Sequence, residues 1–229
     1  MPQRFAIYYA PATTDLLWDR ASVWLGRDSE SGELQDGAVA GLDRSRLLNH
    51  TQSAGRYGFH ATIKPPMALV DGASEDDLRK ELQRFAEATA PLSLGKLQLA
   101  DIEGFLALVT AAPNAALQDF AASVVETFEP FRAPLHPRDH AARLARGLTP
   151  RQEELLNAYG YPYVFDQFQF HMTLTDRLSD DDRDDLMAAA QTWFAPVLDA
   201  DIMLDRLVLF VEPESGLAFR RVADFVLKG

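Results

Sequence analysis

Two short stretches share one pattern of side chains that can do chemistry. Residues 57–66 read YGFHATIKPP, and residues 168–177 read FQFHMTLTDR. Each contains Phe-His, one residue, then Thr, which gives a first motif (His60 and Thr62) and a second motif (His171 and Thr173). An imidazole with a pKa of about 6.5 exchanges protons near neutral pH. A hydroxyl donates a hydrogen bond to an oxygen that gains negative charge.

Each stretch predicts a β-strand with one polar face, because alternate residues of a strand lie on the same face. The strands are expected near 56–64 and 167–175, with aromatic and aliphatic residues on their opposite faces. If the two polar faces meet across a groove, each supplies one histidine and one threonine. The remaining polar residues of the two faces are predicted to bind substrate: Arg56, Lys64, Gln169 and Thr175.

This set of side chains suits a phosphodiester. One histidine takes a proton from water or from an attacking hydroxyl, and the other gives a proton to the leaving alkoxide. Thr62 and Thr173 donate to the non-bridging phosphate oxygens. The residues leave open which histidine is the base. The chemistry needs no metal, so we expect neither a metal site nor a cofactor.

The elements that must position these motifs occur twice in the same order. Each motif strand precedes a helix with a serine N-cap and an acidic first turn, at 74–90 and 179–195. Strand pairs follow, with turns near 103–104 and 214–216. The repeat predicts a single α+β domain over 1–229, with two pseudo-symmetric antiparallel-sheet lobes, helices outside and a central groove.

The rest of the chain predicts a first strand at 4–11, a helix that ends at Gly26, and a loop over 27–42. A basic segment precedes the second motif and contains Arg138, Arg143, Arg146 and Arg151. Two interpretations of this segment stay open. It is either a lid that reads phosphate or a solvated helix face.

Composition limits the partners of the chain. Its 229 residues carry a formal net charge of -12 and no cysteine. The acidic surface disfavours long nucleic acids and anionic membranes, which points to a small phosphorylated substrate. The absence of cysteine excludes disulfides, thiolate metal sites and a cysteine nucleophile. No apolar stretch long enough for a membrane span is present, and a cytoplasmic location is expected.

The two motifs resemble those of the 2H phosphoesterase superfamily, which includes LigT-type RNA ligases and cyclic phosphodiesterases. RYGFHATIKPP, together with LTPRQEELLNAYGYPYVFDQFQFHMTLT, resembles the DUF1045 branch, which is often linked to phosphonate metabolism. The resemblance implies a bilobal α+β fold with the active site between the lobes. It also implies that both motifs are catalytic and that the reaction is hydrolysis or ligation at a 2′,3′-cyclic or related phosphodiester.

The phosphonate link suggests one substrate, 5-phosphoribosyl 1,2-cyclic phosphate. The alternatives are an RNA 2′–5′ ligase or 2′,3′-cyclic nucleotide phosphodiesterase, and a nucleotide-binding module without catalysis. Two proton-transfer groups exceed what binding alone requires, and the acidic charge argues against a long RNA.

Overall fold

The protein has a mixed α+β fold in which every strand pairing is antiparallel. The computed structural model describes residues 3–229. Seven strands form a large sheet in the order β4-β5-β6-β2-β1-β8-β9, and β3 pairs with β7 in a small second sheet. The strands are β1 (Arg4–Tyr9), β2 (Ala61–Met67), β3 (Leu92–Gly95), β4 (Leu97–Ile102), β5 (Phe105–Thr110), β6 (His171–Thr173), β7 (Ile202–Leu204), β8 (Arg206–Glu212) and β9 (Arg220–Val226).

Several helices begin or end where the sequence carries a start or stop signal. They are α1 (Leu16–Leu25), α2 (Arg44–Asn49), α3 (Gln52–Tyr57), α4 (Glu75–Glu87), α5 (Ala115–Phe128), α6 (Pro137–Leu144), α7 (Pro150–Tyr159) and α8 (Asp180–Leu198). Ser74 and Thr149 form capping boxes, and Gly26 and Gly160 end their helices in the left-handed conformation. In the described chain, none of the helices could cross a membrane, given its length and apolar content.

The predicted repeat is present in the element order, since β2-α4-β3-β4-β5 recurs as β6-α8-β7-β8-β9. The two copies are intertwined. The β4-β5 hairpin of the first copy pairs with β6, whereas the β8-β9 hairpin of the second copy lies on the β2 side, with β1 between. The α+β antiparallel prediction is confirmed, and the lobes are two halves of one sheet that meet at β2 and β6.

A continuous apolar core joins the two halves and fixes the motif strands. Trp24 of α1 is fully buried, and its indole N–H donates to the Leu174 carbonyl at 2.9 Å. A buried indole needs such a partner, so this bond ties α1 to the end of β6. A smaller cluster of Val125, Leu155 and Val164 joins α5 to α7 and to the segment before β6.

Both motif strands differ in extent from the prediction. The segment before His60 is helix α3 rather than strand, and β2 continues through Pro65 and Pro66. Both prolines lie where the register between β2 and β1 shifts, between the pairs Ile7–Lys64 and Phe5–Met67, and prolines inside sheets are found at such irregularities. β6 has only three residues and follows a 3-10 turn at Phe165–Gln167. Residues 92–110 form three strands rather than two.

Candidate active site

The two motifs lie side by side on neighbouring strands of the large sheet. Ala61 of β2 is paired with Met172 of β6. Directly paired residues of an antiparallel ladder lie on the same face, and both of these side chains are buried. The histidine and threonine that flank each of them therefore lie on the other face. All four predicted catalytic residues are brought together there.

Both imidazoles are oriented by the same contact. His60 Nδ1 lies 2.8 Å from the Gly58 carbonyl, and His171 Nδ1 lies 2.9 Å from the Gln169 carbonyl. A carbonyl oxygen only accepts hydrogen bonds, so each Nδ1 carries a proton and each Nε2 is left for proton exchange. His60 Nε2 lies 3.2 Å from Thr62 Oγ1. The duplicated motif thus has a duplicated anchor.

Gly58 is the residue that allows the first anchor. Its φ is +81°, and a Cβ at this position would lie 2.5 Å from Ser29 Oγ and 2.6 Å from Ser29 Cβ. Both the backbone conformation and the space therefore require glycine. This turn joins α3 to β2 and aims the Gly58 carbonyl at the His60 ring.

Asp176 connects the end of the second motif strand to the helix before the first. Its carboxylate accepts hydrogen bonds from the Ser53 and Ala54 N–H groups, each at 3.1 Å, and its own N–H donates to the His50 carbonyl at 2.7 Å. Since the first N–H groups of a helix lack partners within the helix, Asp176 supplies them for α3. The position of the first motif therefore depends on the second.

His60 lies against aromatic rings. The ring centroids of Tyr8 and His60 are 3.7 Å apart with an interplanar angle of 19°, and Phe210 lies 6.0 Å away. Burial lowers the pKa of His60 to about 4, against the raising effect of the Gly58 carbonyl, and the nearby His171 adds to the lowering. His60 is therefore neutral at pH 7, as a general base must be.

The polar face forms one wall of a cavity of about 490 Å³. His60, Thr62 and Thr173 line it, whereas His171 stands beside it with its ring 5.9 Å from that of Phe105, which lines the cavity. This volume lies in the range of pockets that hold small ligands. Further lining residues are Arg4, Tyr8, Tyr57, Arg143, Arg146 and Tyr161. Within residues 3–229, no three His, Asp or Glu side chains are grouped so that they could hold a metal ion.

Of the four predicted substrate-binding residues, only Thr175 lines this cavity. Its hydroxyl is buried and accepts the Leu106 N–H at 2.9 Å, so it also fixes the end of the second motif to β5. The Gln169 side chain is exposed and does not line the cavity. The backbone carbonyl of Gln169, rather than its amide, serves the site by anchoring His171.

Arg56 does not lie on the His60 face, contrary to the prediction, because it belongs to α3 and not to a strand. Its guanidinium donates to buried Glu212 at 2.8 Å and to the Leu217 carbonyl at 2.9 Å, and it lies 4.4 Å from the centre of the Tyr57 ring. Arg56 therefore holds the β8–β9 connection against α3.

Lys64 also leaves the predicted face, and the cause is an extra residue in β2. Tyr8 is opposite Thr62, but its neighbour Ile7 is opposite Lys64, so Ile63 has no partner of its own in β1. Because Tyr8 and Ile7 lie on opposite faces of β1, Thr62 and Lys64 also lie on opposite faces. A strict alternation cannot reveal this bulge.

The Lys64 ammonium forms its contacts on the other side of the sheet. The residue is 2% exposed, and its Nζ donates to the Val125 carbonyl at 3.0 Å and to Glu129 at 2.9 Å. Burial lowers the pKa of Lys64, while Glu129 opposes the change. Lys64 joins β2 to α5 and has no route to a ligand beside His60.

The sequence interpretation missed Arg4 and Tyr8, which line the cavity from β1. The signal was present in RFAIYY, where residues 4, 6 and 8 share one strand face and residues 5, 7 and 9 share the other. The first of these faces carries the guanidinium of Arg4 and the phenol of Tyr8.

Comparison with known proteins places the chain in a family. A family model described as "Protein of unknown function (DUF1045)" matches residues 62–220, which is more than half of the sequence. The chain belongs to the DUF1045 family. The resemblance drawn from the two motifs is thereby confirmed at the level of this family. The DUF1045 match includes Thr62 and the whole second motif, and it begins two positions after His60.

Two curated relatives of this DUF1045 chain are both named ribose 1,5-bisphosphate phosphokinase PhnN. The protein from Janthinobacterium sp. (strain Marseille) is 36% identical over 222 residues, which cover 94% of this chain and 49% of the relative. The protein from Laribacter hongkongensis (strain HLHK9) is 36% identical over 220 residues, with coverages of 95% and 50%. The chain thus spans about half the length of these relatives.

Two solved structures align with the DUF1045 chain over 100% of both chains. One is described as a phosphoesterase, with a TM-score of 0.44 and 11% identity. The other is described as E. coli LigT complexed with NADP+, with a TM-score of 0.44 and 12% identity.

Proposed function

We propose that the protein is a phosphodiesterase that opens a small cyclic phosphodiester by acid–base catalysis with His60 and His171. One observation carries the proposal. Two His-x-Thr motifs lie on the same face of adjacent strands, and both imidazoles are held through Nδ1 by a carbonyl two residues earlier. This arrangement supports a site in which two Nε2 atoms and two hydroxyls act on one ligand.

The low pKa of His60 supports its assignment as the base. Neutral Nε2 of His60 takes a proton from water as the water oxygen attacks phosphorus. The bond from phosphorus to one ring oxygen breaks, and His171 gives a proton from its Nε2 to that oxygen. The product is a ring-opened phosphomonoester, and one water is consumed. The Thr62 and Thr173 hydroxyls donate to the non-bridging oxygens as their charge grows.

As substrate we propose 5-phosphoribosyl 1,2-cyclic phosphate. Hydrolysis of its bond between phosphorus and O2 leaves the phosphate on C1, and the product is ribose 1,5-bisphosphate. That compound is the one in the printed name of both relatives. The phosphokinase activity in that name is not proposed for this chain, because the sequence contains no GxxxxGK[ST] phosphate loop. We further propose that long nucleic acids are not substrates, given the net charge of -12.

The test incubates the purified protein with 5-phosphoribosyl 1,2-cyclic phosphate and with 2′,3′-cyclic nucleotides, and it identifies products by phosphorus NMR. We expect ribose 1,5-bisphosphate as the product of the first compound, formed about 10²- to 10⁴-fold more slowly by His60→Ala. Turnover of the nucleotides alone would favour the cyclic nucleotide phosphodiesterase alternative. If none of the cyclic compounds is hydrolysed while ligand binding is intact, the result would favour a binding module.

A further inference from the structure

The basic segment before the second motif divides into two pairs of arginines. Arg143 and Arg146, at the C-terminal end of α6 and just beyond it, line the cavity beside His60. Arg138 is exposed on α6 and does not line the cavity, and Arg151 pairs with carboxylates on the surface. Arg138 and Arg151 therefore match the solvated helix face, whereas the positions of Arg143 and Arg146 are those that a phosphate-reading role requires.

The two cavity arginines lack the partners that a structural arginine has. In the described chain, residues 3–229, neither Arg143 nor Arg146 forms an ion pair with a carboxylate. Arg143 donates to the Gly160 carbonyl at 2.6 Å and lies over the Tyr161 ring at 5.4 Å. These contacts fix the orientation of its guanidinium but leave its charge without a counterion.

Positive charges are concentrated around Arg143, and this disfavours its charged form. Burial lowers the pKa of Arg143, and the like charges of Arg146 and Arg4 lower it further, whereas Tyr161 and Asp139 oppose this change. A bound anion would relieve this crowding. The cluster is a local concentration of positive charge in a protein with a net charge of -12.

Tyrosine hydroxyls complete the same end of the cavity. Burial raises the pKa of Tyr161 to about 12, so its hydroxyl remains a hydrogen-bond donor at neutral pH. Tyr8 also lines the cavity, and its ring stacks on His60. Burial raises the pKa of the Tyr8 hydroxyl, Tyr57 and Tyr161 add to this, and Arg4 opposes it. The single acidic lining residue is Asp176, whose carboxylate is engaged with the start of α3.

We propose that Arg143, Arg146 and Tyr161 form a second anion-binding centre, which takes a phosphomonoester carried by the same ligand that presents its cyclic diester to His60. This inference rests on the proposed function for the diester end. It restricts the substrate class to small molecules with two phosphates, one cyclic and one terminal. Dianionic monoesters suit paired guanidinium groups. The centre replaces the roles predicted for Arg56 and Lys64.

Binding of ribose 5-phosphate tests the centre without catalysis. This compound carries the monoester and lacks the cyclic diester, and calorimetry gives its Kd. We expect Arg146→Gln and Arg143→Gln to weaken binding about 10- to 100-fold, the range for a charged hydrogen bond. Arg138→Gln, in the same basic segment but outside the cavity, should bind as wild type does. Since Arg143 also contacts Gly160, the exposed Arg146 gives the cleaner result if Arg143→Gln is unstable.

Kinetics separate this inference from the proposed function. If wild type opens cyclic phosphodiesters, Arg146→Gln should lose about 10- to 100-fold in kcat/KM for the compound with a terminal phosphate and little for a 2′,3′-cyclic nucleotide without one. Equal losses on both substrates would overturn the second centre and leave the diesterase standing. If wild type shows no turnover at all, but Arg146→Gln selectively loses ribose 5-phosphate binding, the diesterase proposal would be overturned and the second centre would stand. Equal Kd values in Arg146→Gln and Arg138→Gln would overturn the centre outright.

Discussion

His60 is stacked on Tyr8, with 3.7 Å between the ring centroids and 19° between the ring planes. The contact removes one face of the imidazole from water and places the phenol in the wall of the same cavity. Desolvation disfavours the imidazolium form, which is the main cause of the His60 pKa of about 4. The first motif therefore contains a neutral imidazole, and the proposed direction of proton transfer follows from this state.

The lowered pKa of His60 predicts the pH dependence of stability. Between pH 6.5 and 4 the unfolded chain holds a proton on this histidine that the folded chain does not, so the free energy of unfolding falls as pH falls through this range. From pH 7 to pH 5, wild type should lose about 2 kcal/mol relative to His60→Gln. Urea unfolding of both proteins at both pH values measures the difference. Parallel losses in the two proteins would contradict the assignment.

Lys64 should matter for stability and not for substrate choice, because its ammonium is buried against Val125 and Glu129 on the face opposite Thr62. We expect Lys64→Met to lower the free energy of unfolding by about 1–3 kcal/mol. Its ratio of kcat/KM for substrates with and without a terminal phosphate should equal that of wild type. Lys80→Met, at an exposed lysine of α4, is the control for loss of charge. If Lys64→Met lost kcat/KM selectively for the substrate with a terminal phosphate, Lys64 would have to contact the ligand.

Hydrolysis should survive exhaustive treatment with EDTA, because two imidazoles supply proton transfer and two threonine hydroxyls stabilise the charge on phosphate. The measurement is the initial rate on a cyclic phosphodiester before and after chelation, with the chelator then removed. A loss of activity that a divalent ion restores would contradict metal-free catalysis.

The sequence predicted those features that depend on local signals. The helix start at Ser74 and the helix stop at Gly26 follow from a side-chain cap and a left-handed residue. The repeated motif pointed to His60 and His171 as candidate catalytic residues, because two repeated imidazoles beside hydroxyls suggest proton transfer whatever the fold.

The features that depend on long-range pairing were not predictable in the same way. The inserted Ile63 reverses the side of the strand on which Lys64 lies, and only the register against β1 shows it. The exchange of hairpins between the two copies likewise depends on which strands pair. The position of Arg146 at a cavity formed by strands distant in sequence depends on the same pairing. Local sequence determines each element, but it does not determine the neighbours of that element.

The central claim is that His60 and His171 act as one acid–base pair, and the measurement that tests it most directly is kcat/KM in single and double variants. His60→Ala and His171→Ala should each lower kcat/KM on a cyclic phosphodiester by about 10²- to 10⁴-fold. The double variant should be little worse than the worse single variant, because the two groups act in one step. His140→Ala, at a histidine that contacts Asn157 outside the cavity, should retain wild-type kinetics. Near wild-type kcat/KM in either motif variant, or losses that multiply in the double variant, would contradict the pairing.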